Sequence, residues 1–203
     1  RWVILVRAGA IGAGCARMGL TSRPSSVNER QAAAAVGQVS LMRAWERAFD
    51  TVSLFVGQML LTKDELNDRL QYLNARNTLG ALLNFGVVPV INENDTVSTD
   101  ELKIGDNDTL SAHVALLADA DLLILLTDQE GLRTVGPDGE LGERIPLVPD
   151  LTDEVLALAV GKGSEFSVGG MGTKLQAARM ATGSGISMVI ASGRREEIGR
   201  AHV

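Results

Sequence analysis

"VVPVINEND", residues 87–95, is the stretch on which the fold of this chain turns. Val87–Ile91 is a short aliphatic run, the pattern of a strand buried on both faces of a parallel sheet. The polar tetrapeptide after it predicts a loop beyond the carboxyl end of that strand, where open α/β sheets bind their ligands. "NEND" supplies amides and carboxylates but no basic residue, and a loop capped by Asn and Asp has the same composition.

The same punctuation recurs outward from this stretch. Trp2–Val6, Val52–Leu61, Val87–Ile91, Leu122–Thr127 and Ile186–Ala191 predict strands. Between them, Val27–Phe49 reads as a helix of mixed polarity. Thr62 and Glu65 form a capping box ahead of Leu66, Leu70, Leu73, Leu79 and Leu82, which are spaced for one helical face. Leu110–Ala118 and a segment from about Gly172 to Thr182 predict two further helices. Strands alternating with helix-length segments are the pattern of βαβ units and an α/β fold with a parallel sheet. Two segments break the alternation. Residues 96–105, "TVSTDELKIG", predict a hairpin over the sheet's edge. Residues 134–152, with a Pro-Asp-Gly turn, predict a solvated hairpin or an excursion on the nucleotide side.

Composition narrows the class. A chain of 203 residues at 45% hydrophobic content can bury a full core, and 3% aromatics suits an aliphatic parallel sheet. A net charge of −6 speaks against a nucleic-acid surface, which needs clustered Lys and Arg. Cys15 alone excludes an internal disulfide framework and fits a reducing compartment. No apolar run approaches the roughly 20 residues of a membrane span, and no signal-peptide pattern is present. These features predict a cytoplasmic protein with no nucleic-acid or membrane partner. The chain opens inside "RWVILV" without a Met and closes on "EEIGRAHV", so both ends read as cut.

Polar residues gather where strands run into helix starts. "RAGAIGAG" (7–14) is a Gly-rich turn that suits either packing or close approach of an anion. "SVGGMGTK" (167–174) leads bare amides into Thr173 and Lys174, a phosphate cradle with a mobile cation. Its glycines are too closely spaced for a Walker loop. "KIGDNDTLSAH" (103–113) carries two carboxylates and an amide where one cap would suffice. With "NEND" it makes Asn92, Asp95, Asp106, Asn107 and Asp108 one acidic-amide set, suited to an ammonium group or to a cation carried by a nucleotide. His113, among apolar neighbours, reads as a packed or surface histidine. Cys15 has no His nearby in sequence and is a poor nucleophile candidate. Met59 and Trp45 read as core or interface residues.

Taken in order, "GAIGAG", "AVGQ", "GQMLLT", "LNARNTL", "VPVINENDTV", "KIGDNDTLSA", "LLTDQEGL" and "GGMGTKLQAA" resemble the glutamate 5-kinase family of the amino acid kinase superfamily. The resemblance implies a three-layer α/β/α sandwich with a mainly parallel central sheet, the amino acid kinase fold. It would occupy residues 1–203 as one domain without its first strand, and without the RNA-modifying-enzyme-like domain found at the C-terminus of many members. It implies ATP-dependent phosphorylation of the side-chain carboxylate of L-glutamate, the first step of proline synthesis, with Mg2+ arriving on ATP. Ala8, Gly9, Asn92, Asp95, Asp106 and Asn107 would hold glutamate. Thr127 and Asp128 would line the nucleotide site, and Val168, Gly169, Gly170, Met171, Gly172, Thr173 and Lys174 would cover the phosphates. Lys174 would stabilise the transferred group, with Asp108 orienting the lysines around it. A homo-oligomer, dimer or tetramer, and feedback inhibition by proline are further implications.

The chain departs from the family pattern at three places. The strand carrying a second catalytic lysine would precede Arg1. Arg7-Ala8-Gly9-Ala10 stands where the family reads Ser-Ser-Gly-Ala or Thr-Ser-Gly-Ala, so Ala8 lacks a hydroxyl and Arg7 adds bulk and charge. Ser167-Val168 stands before Gly169 where the family reads Gly-Thr, which puts a β-branched apolar group near the phosphates. These departures keep a rival reading open: a non-catalytic module that binds glutamate or proline, or pairs with an active subunit. The kinase half of a bifunctional pyrroline-5-carboxylate synthase shares the same motifs. "NENDTV" and "LNARNTL" speak against a superfamily kinase acting on aspartate or N-acetylglutamate.

Overall fold

The computed structural model describes residues 2–98, 106–128, 130–136, 138, 140–158 and 170–194. The chain forms two compact units, Arg1–Leu110 and Ser111–Val203. The fold is α/β with parallel strands in each unit. Among the described residues, no helix is long and apolar enough to cross a membrane.

The first unit runs β1 (Leu5–Val6), α1 (Ala10–Met18), α2 (Val27–Asp50), β2 (Val56–Leu61), α3 (Lys63–Asn67), α4 (Arg69–Asn84) and β3 (Val88–Glu93). Its sheet has the order β1-β3-β2, all parallel, with Val90 opposite Leu5 on one side and Gln58 on the other. The central strand β3 is buried from Val88 to Asn92, as its aliphatic run predicts. Paired residues of a parallel ladder point to the same face, and the faces alternate along each strand. Gln58, Val90 and Asn92 therefore share the face covered by α2. Gly57 turns to the opposite face, where a Cβ would meet the side chains of Leu82 on α4 and Val87.

Helices α1 and α2 cross at almost backbone contact. A Cβ on Gly14 would lie 1.8 Å from the Ala33 carbonyl oxygen, so only glycine allows this approach. Ala10, Ala33, Ala34 and Gly37 are buried at the same crossing. The sequence predicts a Gly-rich turn over residues 7–14; the structure places α1 there from Ala10 onward. Its glycines oppose helix formation by propensity, and the tertiary crossing outweighs that cost.

The capping box at Thr62 is present: Thr62 Oγ1 accepts from Glu65 N at 3.4 Å, and Thr62 N donates to Glu65 Oε2 at 2.6 Å. The helix it starts is shorter than its leucine spacing predicts. Asp68 is extended, ends α3, and caps α4 by accepting from Gln71 N at 2.9 Å. Leu70 and Leu73, near the start of α4, are exposed, whereas Leu79 and Leu83 are buried.

Helix α5 (Asn107–Ala118) begins in the first unit and continues into the second. There follow β4 (Leu122–Thr127), β5 (Arg133–Val135), β6 (Leu141–Arg144), α6 (Asp153–Ala157), α7 (Met171–Gly183) and β7 (Ser187–Ser192). Strands β4 and β7 pair in parallel, Leu122 opposite Ser187 through Thr127 opposite Ser192. Their inner face packs on α5 and α7 through Ala112, Ala115, Leu123, Leu125, Ala177, Ala181 and Ile186. The uniform "LLILLT" predicts burial on both faces, yet Leu122, Ile124 and Leu126 are exposed. The segment 134–152 contains part of an antiparallel hairpin, with Arg133 paired to Arg144 and Val135 to Leu141. Short helix α6 follows it, unheralded by the sequence periodicity and capped by Thr152. The hairpin expected over 96–105 lies, beyond Ser98, outside the described residues.

Candidate active site

The sequence-predicted residues divide between the two units. Ala8, Gly9, Asn92, Asp95, Asp106, Asn107 and Asp108 belong to the first, and Thr127, Asp128 and Gly170–Lys174 to the second. Val168 and Gly169 lie outside the described residues.

In the first unit, β1 ends as Arg7 N donates to the Ile91 carbonyl at 2.9 Å, carrying the ladder one residue past Val6. This places Arg7 beside Asn92 at the carboxyl ends of β1 and β3. Gly9 then takes φ 109°, a left-handed conformation that glycine adopts without a Cβ clash, and turns the chain into α1. Its neighbour Ala8 is half-buried, while Gly9 itself is exposed.

The "NEND" loop is held by hydrogen bonds to β2 and α2 as well as within itself. Asn94 N donates to the Leu61 carbonyl at 2.8 Å, and the Asn94 carbonyl accepts from Val97 N and Ser98 N. Ser98 Oγ donates to Glu93 Oε1 at 3.3 Å, and Gln31 Nε2 on α2 donates to the Ser98 carbonyl at 3.2 Å. Asn92 stands apart: it is buried, and its Nδ2 has no hydrogen-bond partner among the described residues. An orphaned buried amide costs free energy unless something satisfies it, so Asn92 is the residue of this loop most plainly set to meet a ligand.

Part of the surplus polarity at the start of α5 is cap. Asp106 Oδ1 accepts from Thr109 N at 2.8 Å, and Asp106 Oδ2 accepts from Thr109 Oγ1 at 3.0 Å. Both oxygens of Asp106 are thus engaged locally, the arrangement that stabilises a helix N-terminus. Asn107 and Asp108 follow in the first turn, half-buried, and are not needed for that cap. Five residues beyond Asp108, half-buried His113 has its imidazole pKa lowered by burial.

In the second unit, Thr127 ends β4 and its Oγ1 donates to Asp128 Oδ1 at 3.1 Å, while its carbonyl accepts from Gly193 N at 2.7 Å. Helix α7 opens after Gly170, which offers no side-chain cap. Thr173 Oγ1 turns back to donate to the Gly170 carbonyl at 2.8 Å, closing the first turn. Lys174 is 5% exposed. A lysine is almost never that buried unless its charge is paired. A buried cation in the first turn of a helix is a fitting surround for a phosphate.

Sequence reasoning assigned no individual role to Gln38 and Gln58. Gln58 Nε2 donates to Gln38 Oε1 at 3.0 Å, and Gln38 is buried with its Nε2 unpartnered among the described residues. The available signal was a polar residue inside the apolar run "GQMLL" and another ending "AVGQ"; what joins them is the packing of α2 on the sheet.

Comparison with known proteins gives the family. The family model described as "Amino acid kinase family" matches residues 1–192. The chain is 55% identical over 194 residues to "Glutamate 5-kinase" of Moorella thermoacetica, covering 95% of this chain and 51% of that protein. It is 48% identical over 200 residues to "Glutamate 5-kinase" of Clostridium tetani, covering 97% of this chain and 74% of that protein. A third relative of the same name, from Alcanivorax borkumensis, is 50% identical over 196 residues, covering 97% of this chain and 52% of that protein. The chain spans about half the length of most of the curated relatives it matches. Among solved structures, "Carbamate kinase from Giardia lamblia bound to AMP-PNP" aligns with a TM-score of 0.55 at 18% identity, covering 94% of this chain and 79% of that one. That likeness concerns the fold alone. With a family model spanning both units and relatives this similar, the chain belongs to the amino acid kinase family and is grouped there with the glutamate 5-kinases.

Proposed function

We propose that this chain transfers the γ-phosphoryl group of ATP to the side-chain carboxylate of L-glutamate, forming L-glutamyl 5-phosphate for proline synthesis. A carboxylate oxygen attacks Pγ, the bond from Pγ to the bridging oxygen breaks, and ADP leaves. Such transfer asks little covalent chemistry of a protein; it needs in-line positioning and cations where charge spreads. One observation carries the reading: Lys174 is buried in the first turn of α7, directly after a glycine start with no side-chain cap. The names of the relatives supply the substrate.

The second unit would supply the nucleotide side. The amides of Met171, Gly172 and Thr173 suit phosphate oxygens, with Lys174 against the transferred group and Thr127 and Asp128 toward the nucleotide. Val168 and Gly169 complete that loop in this reading. The first unit would supply the amino-acid side, through Ala8, Gly9, Asn92, Asp95 and Asn107. Asp106 holds the α5 start in place for Asn107 and Asp108, the latter orienting cationic groups. Among the described residues no group of three His, Cys, Asp or Glu side chains forms a metal cage. Mg2+ would be carried on the phosphate oxygens, as is usual for this ion with nucleotides. The same reading carries a cytoplasmic homo-oligomer with proline as feedback inhibitor.

Trapping with hydroxylamine tests the reaction, because an acyl phosphate yields a hydroxamate. The chain, and a longer version restoring an upstream strand, are incubated with ATP, Mg2+ and L-glutamate. Hydroxamate that requires both substrates supports the reading; none from either version overturns it in favour of a binding module.

A further inference from the structure

A small niche lies between α2 and the carboxyl end of the sheet in the first unit. Gln38, Leu41, Met42 and Trp45 of α2 recur at helical spacing and present one stripe to it; Gln58, Val90, Asn92 and Arg7 line the sheet side. Its free volume is about 10 Å³, the room for a single oxygen atom with its hydrogens or lone pairs. The walls formed by Leu41, Met42, Trp45 and Val90 are largely apolar, so any polar contact made inside is little screened by water.

The polar atoms of this niche without a partner among the described residues are of one kind. Gln38 Oε1 is occupied by Gln58 Nε2 at 3.0 Å, which leaves Gln38 Nε2 as the outstanding group. Asn92 Nδ2 is the second outstanding group, and both side chains are more than nine-tenths buried. Arg7, exposed, also lines the niche and is its one cationic residue among the described residues. Among the described residues, no acidic side chain lines the niche. Two N–H donors and a cation, with no competing carboxylate, select an acceptor bearing negative charge.

We propose that Arg7, Gln38 and Asn92 form a carboxylate subsite. One carboxylate oxygen enters between the Gln38 and Asn92 amides, and the other stays on the Arg7 guanidinium. The Gln58 amide acts as a positioning group that fixes which end of Gln38 faces the ligand. Arg7 thereby supplies a contact of its own in the turn where Ala8 carries no hydroxyl. Identifying the carboxylate as that of the amino-acid substrate rests on the kinase reading above; the donor set itself does not.

The test uses the whole chain with isotope-labelled side-chain amides, titrated separately with formate and with L-glutamate. The Gln38 and Asn92 NH2 resonances are expected to shift saturably with both, and Arg7→Gln, at an exposed position, is expected to weaken both affinities about tenfold or more. KM for ATP is expected to stay unchanged in that variant while KM for glutamate rises. Shifts with formate but not glutamate uphold the subsite and overturn glutamate as its occupant. Glutamate binding that leaves both amides unmoved overturns the subsite while leaving the kinase reading intact. Amides insensitive to saturating formate, with Arg7→Gln binding like the parent, mean that the niche holds only water and end the proposal.

Discussion

Gly37 of α2 lies so close to Ala10 of α1 that a Cβ on it would sit 1.7 Å from the Ala10 carbonyl oxygen and 2.6 Å from Gly14 N. The neighbouring atoms are backbone, which cannot rotate away. Gly37→Ala must therefore push the two helices apart and open a crossing lined by Ala10, Ala33 and Ala34. The expected loss is roughly 1–3 kcal/mol or more, read from the urea midpoint. Gly80, inside α4 with nothing within 4 Å of a Cβ, is the matched contrast. Gly80→Ala is expected to stabilise by about 0.5–1 kcal/mol, because alanine is the better helix former and meets no obstacle there.

Asp106 serves the helix that presents Asn107 and Asp108. Asp106→Ala removes the acceptor for Thr109 N and is expected to cost roughly 0.5–2 kcal/mol in thermal or chemical unfolding. Asp106→Asn keeps an oxygen for that amide and is expected to restore most of the stability together with substrate affinity. An Asn variant as stable as the parent but unable to bind glutamate would move Asp106 from the cap into direct substrate contact.

Asp108 and Lys174 are expected to act on turnover rather than on nucleotide binding. Asp108→Asn should lower kcat with little change in KM for ATP. Lys174→Met should lower kcat by about a hundredfold or more, the scale for losing a group that meets charge developed in the transition state. A Lys174→Met enzyme with unchanged kcat and a raised KM for ATP would reduce the lysine to ground-state binding.

His113 links the second half of α5 to pH. Burial lowers its imidazole pKa in the folded chain, relative to an unfolded value of about 6.5. Below that value the unfolded chain binds the proton more readily, so folding loses this contribution as the pH falls through the unfolded and then the folded pKa. Above about pH 6.5 the contribution is fully present. His113→Gln is expected to flatten the acid side of the stability curve between pH 7 and pH 5 in unfolding experiments; an unchanged slope would remove His113 as its source.

Much of this molecule was legible from local pattern. β3 and β4 appear within two residues of the predicted strands because an aliphatic run bounded by polar residues has few other ways to bury itself. The Thr62–Glu65 capping box needs only residues three apart and was visible for the same reason. Helix α1 was not, since its glycines argue against a helix until α2 arrives to be packed at backbone distance. Asp68 broke a leucine pattern that periodicity alone would run straight through, because a side-chain cap competes with helix continuation over a single residue.

The chemistry divides in the same way. The motifs placed Asn92, Asp108 and Lys174 among the candidates, since residue type and a position after a strand or before a helix are properties of neighbouring residues. The burial of Lys174, the engagement of both Asp106 oxygens and the meeting of Arg7, Gln38, Gln58 and Asn92 around one niche were decided by tertiary structure. Those four residues come from a helix, two strands and the residue just after a third strand, spread over 86 positions of the chain. Parallel pairing and the stripe of α2 join them through distances that no local spacing encodes.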